Sequence, residues 1–130
     1  MPVIVEFDGR IIDVKLVGRL AGSELLAQLG QIMAIEQRES ITPCRIIDFR
    51  ELDTSDIRFN DVFAVAEKRR HDKLNNAIKS AFLVKTNVQY GIARTFQTIN
   101  DNPQITIRLF RDEAEARAWL AEDAGDYQSP

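Results

Sequence analysis

The 130 residues contain a single cysteine, Cys44, and a single histidine, His71. One thiol cannot close an internal disulfide. One Cys and one His cannot complete the four ligands of a structural zinc, so neither metal nor other cofactor is expected. A Cys-His nucleophile would need the fold to bring together two residues far apart in sequence. Cys44, at the start of an apolar run, reads more simply as a small packed group. No excess of positive charge exists either: seventeen Lys and Arg against twenty Asp and Glu give a net charge of −3. Nucleic acid is therefore not an expected partner, because phosphate-backbone binding depends on a basic excess. Charged residues interrupt every apolar run well short of the ~20 needed to cross a bilayer. The start at Met1, Pro2 and Val3 lacks the basic segment and apolar stretch of a secretory signal, and a cytoplasmic location is the expectation.

The chain is one domain's worth, long enough to bury roughly two thirds of the surface its unfolded form exposes. Val3, Val5 and Phe7 alternate with polar or outward positions, as do Ile12, Val14 and Leu16 after Asp8 and Gly9. Asp-Gly between such runs signals a β-hairpin. Leu25, Leu26, Leu29, Ile32 and Met33 then recur at helical steps, predicting helix 1 over 23–37 with Ser23 as its N-cap.

After Pro43 the run from Arg45 to Phe49 suits a buried parallel strand, and the crossover through helix 1 should be right-handed. The polar stretch 50–60 reads as a long loop at a strand's carboxyl end, where α/β proteins place function. Helix 2 begins near Phe59 with a stripe of Phe59, Val62, Phe63 and Ala66 that stops at Arg69 and Arg70, so its second half should be exposed. Strand 4 spans 78–84. Helix 3 follows Lys85, Thr86 and Asn87, with Val88, Ile92, Phe96 and Ile99 on one face and Gly91 bordering it, close to the sheet. Strand 5 covers 105–109, and Asp112 with Glu115 resembles a capping box for helix 4, which carries Trp119 and Leu120. The fold class is α/β: a mixed, mostly parallel five-stranded sheet with an N-terminal hairpin and four helices. A single domain is expected over 1–122 and a flexible tail over 123–130. One core should close around Ile46, Ile47, Phe82, Ile92 and Phe96. A sheet face less fully covered by helices would be a surface for a homodimer.

The element order, the strand Arg45 to Arg50, the segment Tyr90 to Phe96 and the ending Phe110 to Leu120 together resemble the SpoIIAA-like branch of the STAS superfamily. The resemblance spans about Val3 to Leu120. It implies a cytosolic STAS-like α/β domain without enzymatic activity, working through protein or small-ligand contacts. Anti-sigma factor antagonists of that superfamily carry a phosphorylatable Ser in an Asp-Ser pair entering the helix after strand 3, commonly followed by Gly. The corresponding loop here is Asp53, Thr54, Ser55, Asp56 and Ile57, and 57–60 contain neither hydroxyl nor Gly. Thr54 and Ser55 are the regulatory phosphosites this implies; the alternative is that they are ordinary loop and capping residues, since Asp53 and Asp56 would repel a phosphate.

A second candidate site groups Lys85, Thr86, Asn87, Tyr90 and Arg94 at the amino end of helix 3, where backbone donors, a hydroxyl and two cations could hold an anion. The competing reading is a solvated helix face. Asp48 and Arg50 read as a partly buried pair, and the basic run at 68–73 as charge favourable to a helix C-terminus or as a dock for an acidic partner. Three functions follow. A regulatory interaction domain predicts an exposed apolar patch around helix 2; a carrier of a small anionic or amphipathic ligand predicts an apolar cavity between sheet and helices. An enzyme using the 50–60 loop predicts carboxylates with raised pKa.

Overall fold

The computed structural model describes residues 3–122, so the expected tail at 123–130 lies outside the described residues. The elements are β1 (Val3–Phe7), β2 (Ile11–Arg19), α1 (Gly22–Arg38), β3 (Cys44–Asp53), α2 (Phe59–Arg70), β4 (Ile78–Leu83), α3 (Asn87–Ile99), β5 (Ile105–Phe110) and α4 (Glu113–Ala121). The strands lie in the order β1-β2-β3-β4-β5, antiparallel between β1 and β2 and parallel thereafter. At the hairpin tip Asp8 Oδ1 accepts from the N–H groups of Arg10 and Ile11, both at 2.8 Å, while Gly9 takes φ +92°. That left-handed conformation favours glycine.

Because the parallel strands advance steadily in one direction, crossovers of one hand must lay α1, α2 and α3 on the same face of the sheet. The sheet therefore has two unequal cores. Ile12, Val14, Phe49, Phe82 and Ile107 pack beneath α1–α3 with Ile47, Ile92 and Phe96. Ile46, Ala81 and Leu83, one residue out of phase, pack on the other face against Phe110, Ala116, Trp119 and Leu120. The single core expected around Ile46 and Ile47 is thus corrected: alternation sends these neighbours to opposite faces. The half-face that α4 leaves open, over β1 and β2, carries Ile4, Glu6, Asp13 and Lys15, with Lys15 paired to Glu51 and Asp13 to Arg117.

Other expectations shift for local reasons. β3 runs to Asp53, not Phe49, because its ladder with β2 continues past a register shift to Arg19 and Asp53. α1 begins at Gly22 with Ala21 as N-cap, and Ser23 is exposed; Glu24 Oε1 accepts the Ala21 N–H at 3.0 Å. The inward stripe of α2 is Val62, Ala66 and Arg69, while Phe59 and Phe63 face outward. Its second half is consequently not exposed as a whole: Arg69 is 1% exposed. On α3, Val88 is exposed and Gln89 is buried in its place. Gly91 is exposed, and an added Cβ would meet nothing within 4 Å, so close packing does not explain it. Asp112 caps α4 by accepting from the Ala114 N–H at 2.8 Å, with Glu115 exposed.

Candidate ligand-binding site

Val14, Ile47 and Phe82 are direct partners across β2, β3 and β4, so their side chains form a row on the face beneath α1–α3. Above that row lies a cavity of about 120 Å³, walled by Leu29 of α1, Val62 of α2, and Ile92 and Phe96 of α3. Phe82 holds one side in place, its ring centroid 5.4 Å from those of both Phe49 and Phe96.

The polar boundary of this cavity is a buried ion cluster. Arg45, two residues before Ile47 and on the same face, donates from Nη1 to Glu36 Oε2 at 2.6 Å and from Nε to Ser80 Oγ at 3.1 Å. Arg69 donates to both oxygens of Glu36 and lies 2.9 Å from Asp72 Oδ2. Two positive and two negative groups thus meet with their charges in balance: Glu36, Arg45 and Arg69 are buried, while Asp72 is partly exposed in a polar pocket that Glu36 and Arg69 also line. Burial and the neighbouring Arg69 charge push the Arg45 guanidinium down to about 10, against the pull of Glu36. Gln28 also lines the cavity, and its Oε1 is buried without a hydrogen-bond partner among the described residues.

Outside the cavity, Ile57, Phe59, Val88 and Gly91 line an open groove between the amino ends of α2 and α3. Val62 and Ile92 line both spaces and form the wall between them. Phe59 and Val88 are 63% and 61% exposed. The Phe63 ring stands 6.2 Å from that of Phe59.

The residues expected to hold an anion are only partly assembled. Thr86 caps α3, its Oγ1 accepting the Gln89 N–H at 3.0 Å, while Gln89 Oε1 accepts the N–H groups of Lys85 and Thr86. Several of the backbone donors are thereby used within the protein. Asn87 Oδ1 accepts from Arg111, whose guanidinium sits 5.5 Å over the Tyr90 ring. Arg111 was not singled out by sequence; only its place at the end of β5, adjacent to β4, could have suggested it. Arg94 stands apart, seven residues along α3 from Asn87, donating to Gln97 Oε1 at 2.6 Å.

In the loop after β3, Ser55 Oγ and N–H both donate to Asp53 Oδ1, holding that carboxyl below its ordinary range. Thr54 supplies its carbonyl to the Ile57 N–H, and the α2 N-cap is Arg58, with Asp61 Oδ2 accepting its N–H. Asp48 accepts two side-chain bonds from Arg50, at 3.0 and 2.9 Å. Burial raises the Asp48 pKa, but the hydrogen bonds from Arg50 outweigh it and the net value is lowered. Hydrogen bonds from Arg117 first, then Arg50, lower Glu113. Cys44 Sγ accepts the Lys79 N–H at 3.3 Å, whereas His71 is exposed beside Glu67; the two have separate surroundings.

Among the described residues no group of three or more His, Cys, Asp or Glu could hold a metal, and no helix is long and apolar enough to cross a membrane. No family model and no curated protein matches the chain. A solved structure does: an uncharacterised protein of the DUF3478 family from Shewanella loihica PV-4, described as having a SpoIIAA-like fold. It superposes with a TM-score of 0.57 and 18% identity over 92% of each chain. The chain has a SpoIIAA-like fold. At that identity the likeness carries the fold alone. Within it, the cavity beneath α1–α3 and the groove between α2 and α3 are two mainly apolar spaces separated by Val62 and Ile92.

Proposed function

We propose that this SpoIIAA-like domain acts by binding rather than by chemistry, holding a small ligand between its sheet and α1–α3 as a cytoplasmic carrier or sensor. The observation that carries this reading is the cavity bounded by Val14, Ile47, Phe82, Leu29 and Ile92. Apolar, concave spaces with few polar groups are where small molecules bind. Within the 50–60 loop the hydrogen bonds from Ser55 lower the Asp53 pKa, which does not suit that carboxyl to act as a general acid at neutral pH. Native mass spectrometry of freshly purified protein, followed by titration with toluene, tests it. A co-purified molecule, or toluene shifting the methyl resonances of Ile47 and Ile92, is expected. Protein that is ligand-free and unresponsive to toluene overturns the reading.

The outward-facing Phe59, Phe63 and Val88 favour a second reading, an interaction domain whose partner is a second copy of this chain. Two-fold dimers are the commonest assemblies of soluble chains. Sedimentation equilibrium should then show a dimer that Phe59→Ser and Phe63→Ser convert to monomer. A monomeric wild type at high concentration rejects it.

A further inference from the structure

We propose that the crevice beyond the carboxyl ends of β4 and β5 is an anion site that takes a phosphate group, free or as the monoester of a small molecule, on Arg111 and Lys85. The site lies apart from the cavity beneath α1–α3 and stands or falls independently of the carrier reading. Topology comes first. β4 passes the chain to α3 on one face of the sheet, and β5 passes it to α4 on the other. Connections that part in this way leave a crevice outside the strand ends, which is where open α/β sheets bind ligands. Here it is an open space of about 460 Å³ lined by Arg50, Glu51, Val84, Lys85 and Arg111.

Charge comes second. Arg50 is answered by Asp48 and Glu113, and Glu51 by Lys15. Asp112, beside Arg111 in sequence, turns its carboxylate to the Ala114 N–H. Lys85 and Arg111 pair with no carboxylate among the described residues, so their charge stays unanswered in a chain whose net charge is −3. A phosphate monoester carries about −1.5 to −2 at neutral pH and matches the pair, whereas a carboxylate leaves one cation over. Preorganisation comes third. Arg111 is held by uncharged groups: Nη1 donates to the Lys85 carbonyl at 2.8 Å, Nη2 donates to Asn87 Oδ1 at 3.2 Å, and the guanidinium lies 5.5 Å over the Tyr90 ring. Buried Gln89 fixes the Lys85 backbone in turn, its Oε1 accepting the Lys85 N–H at 2.8 Å while its Nε2 donates to the Leu52 carbonyl at 3.1 Å. A guanidinium already fixed in place loses little freedom on binding, and its fork suits phosphate oxygens.

The test is calorimetry at neutral pH and low salt, with phenyl phosphate, inorganic phosphate and benzoate as probes. Phenyl phosphate is expected to bind, and benzoate to bind at least roughly tenfold more weakly. Lys85→Gln and Arg111→Gln should each weaken phenyl phosphate by roughly tenfold or more, while Lys68→Gln, the same loss of charge at an exposed position on α2, leaves it unchanged. Inorganic phosphate binding as tightly as the phenyl ester assigns the site to the free anion, and weaker binding assigns it to a monoester; both support the proposal. No binding of either phosphate, benzoate as tight as phenyl phosphate, or an equal loss in Lys68→Gln overturns it. Lys85 is exposed, so its variant tests the site even where Arg111→Gln disturbs the contact with Asn87.

Discussion

Glu36 on α1 and Arg69 on α2 meet through paired hydrogen bonds, Nη1 to Oε1 at 2.9 Å and Nη2 to Oε2 at 2.8 Å, with both side chains at or below 5% exposure. This bidentate geometry fixes the two helices to one another, and Arg45 on β3 ties the pair to the sheet. Removing Glu36 takes the carboxylate from buried Arg45 and leaves Arg69 with Asp72 alone. Glu36→Leu should cost about 3–5 kcal/mol of stability, as breaking a buried pair typically does. Urea denaturation measures it. Replacing Asp72 together with Glu36, Arg45 and Arg69 by apolar residues should cost much less, because no charge of the cluster is then left unpaired.

Filling the cavity should separate stability from binding. Val14 is buried on its floor, and Val14→Ile adds one methylene to the available space. The expected gain is about 0.8 kcal/mol in urea denaturation, with weaker uptake of toluene. A stabilised protein that binds toluene as before would show that the added group points elsewhere.

Two glycines should respond to alanine with opposite signs. A Cβ on Gly22 would lie 2.0 Å from Asp61 Cγ, and Asp61 is the side chain that caps α2 through Arg58. Gly22→Ala should destabilise by about 1–3 kcal/mol. Gly91, within α3, has open space around its Cα, so Gly91→Ala should stabilise by about 0.5–1 kcal/mol through the reduced freedom of the unfolded chain. Melting temperatures of the two variants, read side by side, check both directions.

Acid should weaken the protein through Asp48. Its folded-state pKa lies below the ordinary 3.8, so its contribution is present above that value and is lost as pH falls through the lower one. Stability should therefore decline below pH ~4. Asp48→Asn should be less stable at neutral pH and show a flatter decline on acidification. An unchanged acid limb in the variant would assign the decline to other carboxylates.

Periodicity made the sheet and helices legible, since Val3 to Phe7 and Ile12 to Leu16 alternate, and Ile92 and Phe96 recur at helical steps. It could not reveal the cavity, which arises from how Leu29, Val62 and Ile92 on three helices stop short of Val14, Ile47 and Phe82. Nor could it reveal Arg69 as an interior residue. Charge reads as solvent-facing unless its partner is known, and Glu36 lies 33 positions away. Gln89 is hidden for the same reason. In place of the apolar Val88, its buried amide joins the Leu52 carbonyl at 3.1 Å to the N–H groups of Lys85 and Thr86. The end of β3 escaped because Glu51 and Asp53 look like loop, yet their backbones complete the ladder with β2 beyond the register shift.

The ligand cavity itself is most directly tested by a crystal of the unliganded protein equilibrated with xenon. Xenon density between Ile47, Phe82 and Ile92 is the predicted result. Crystals that take up xenon only elsewhere, with those three side chains in mutual contact, would contradict the account.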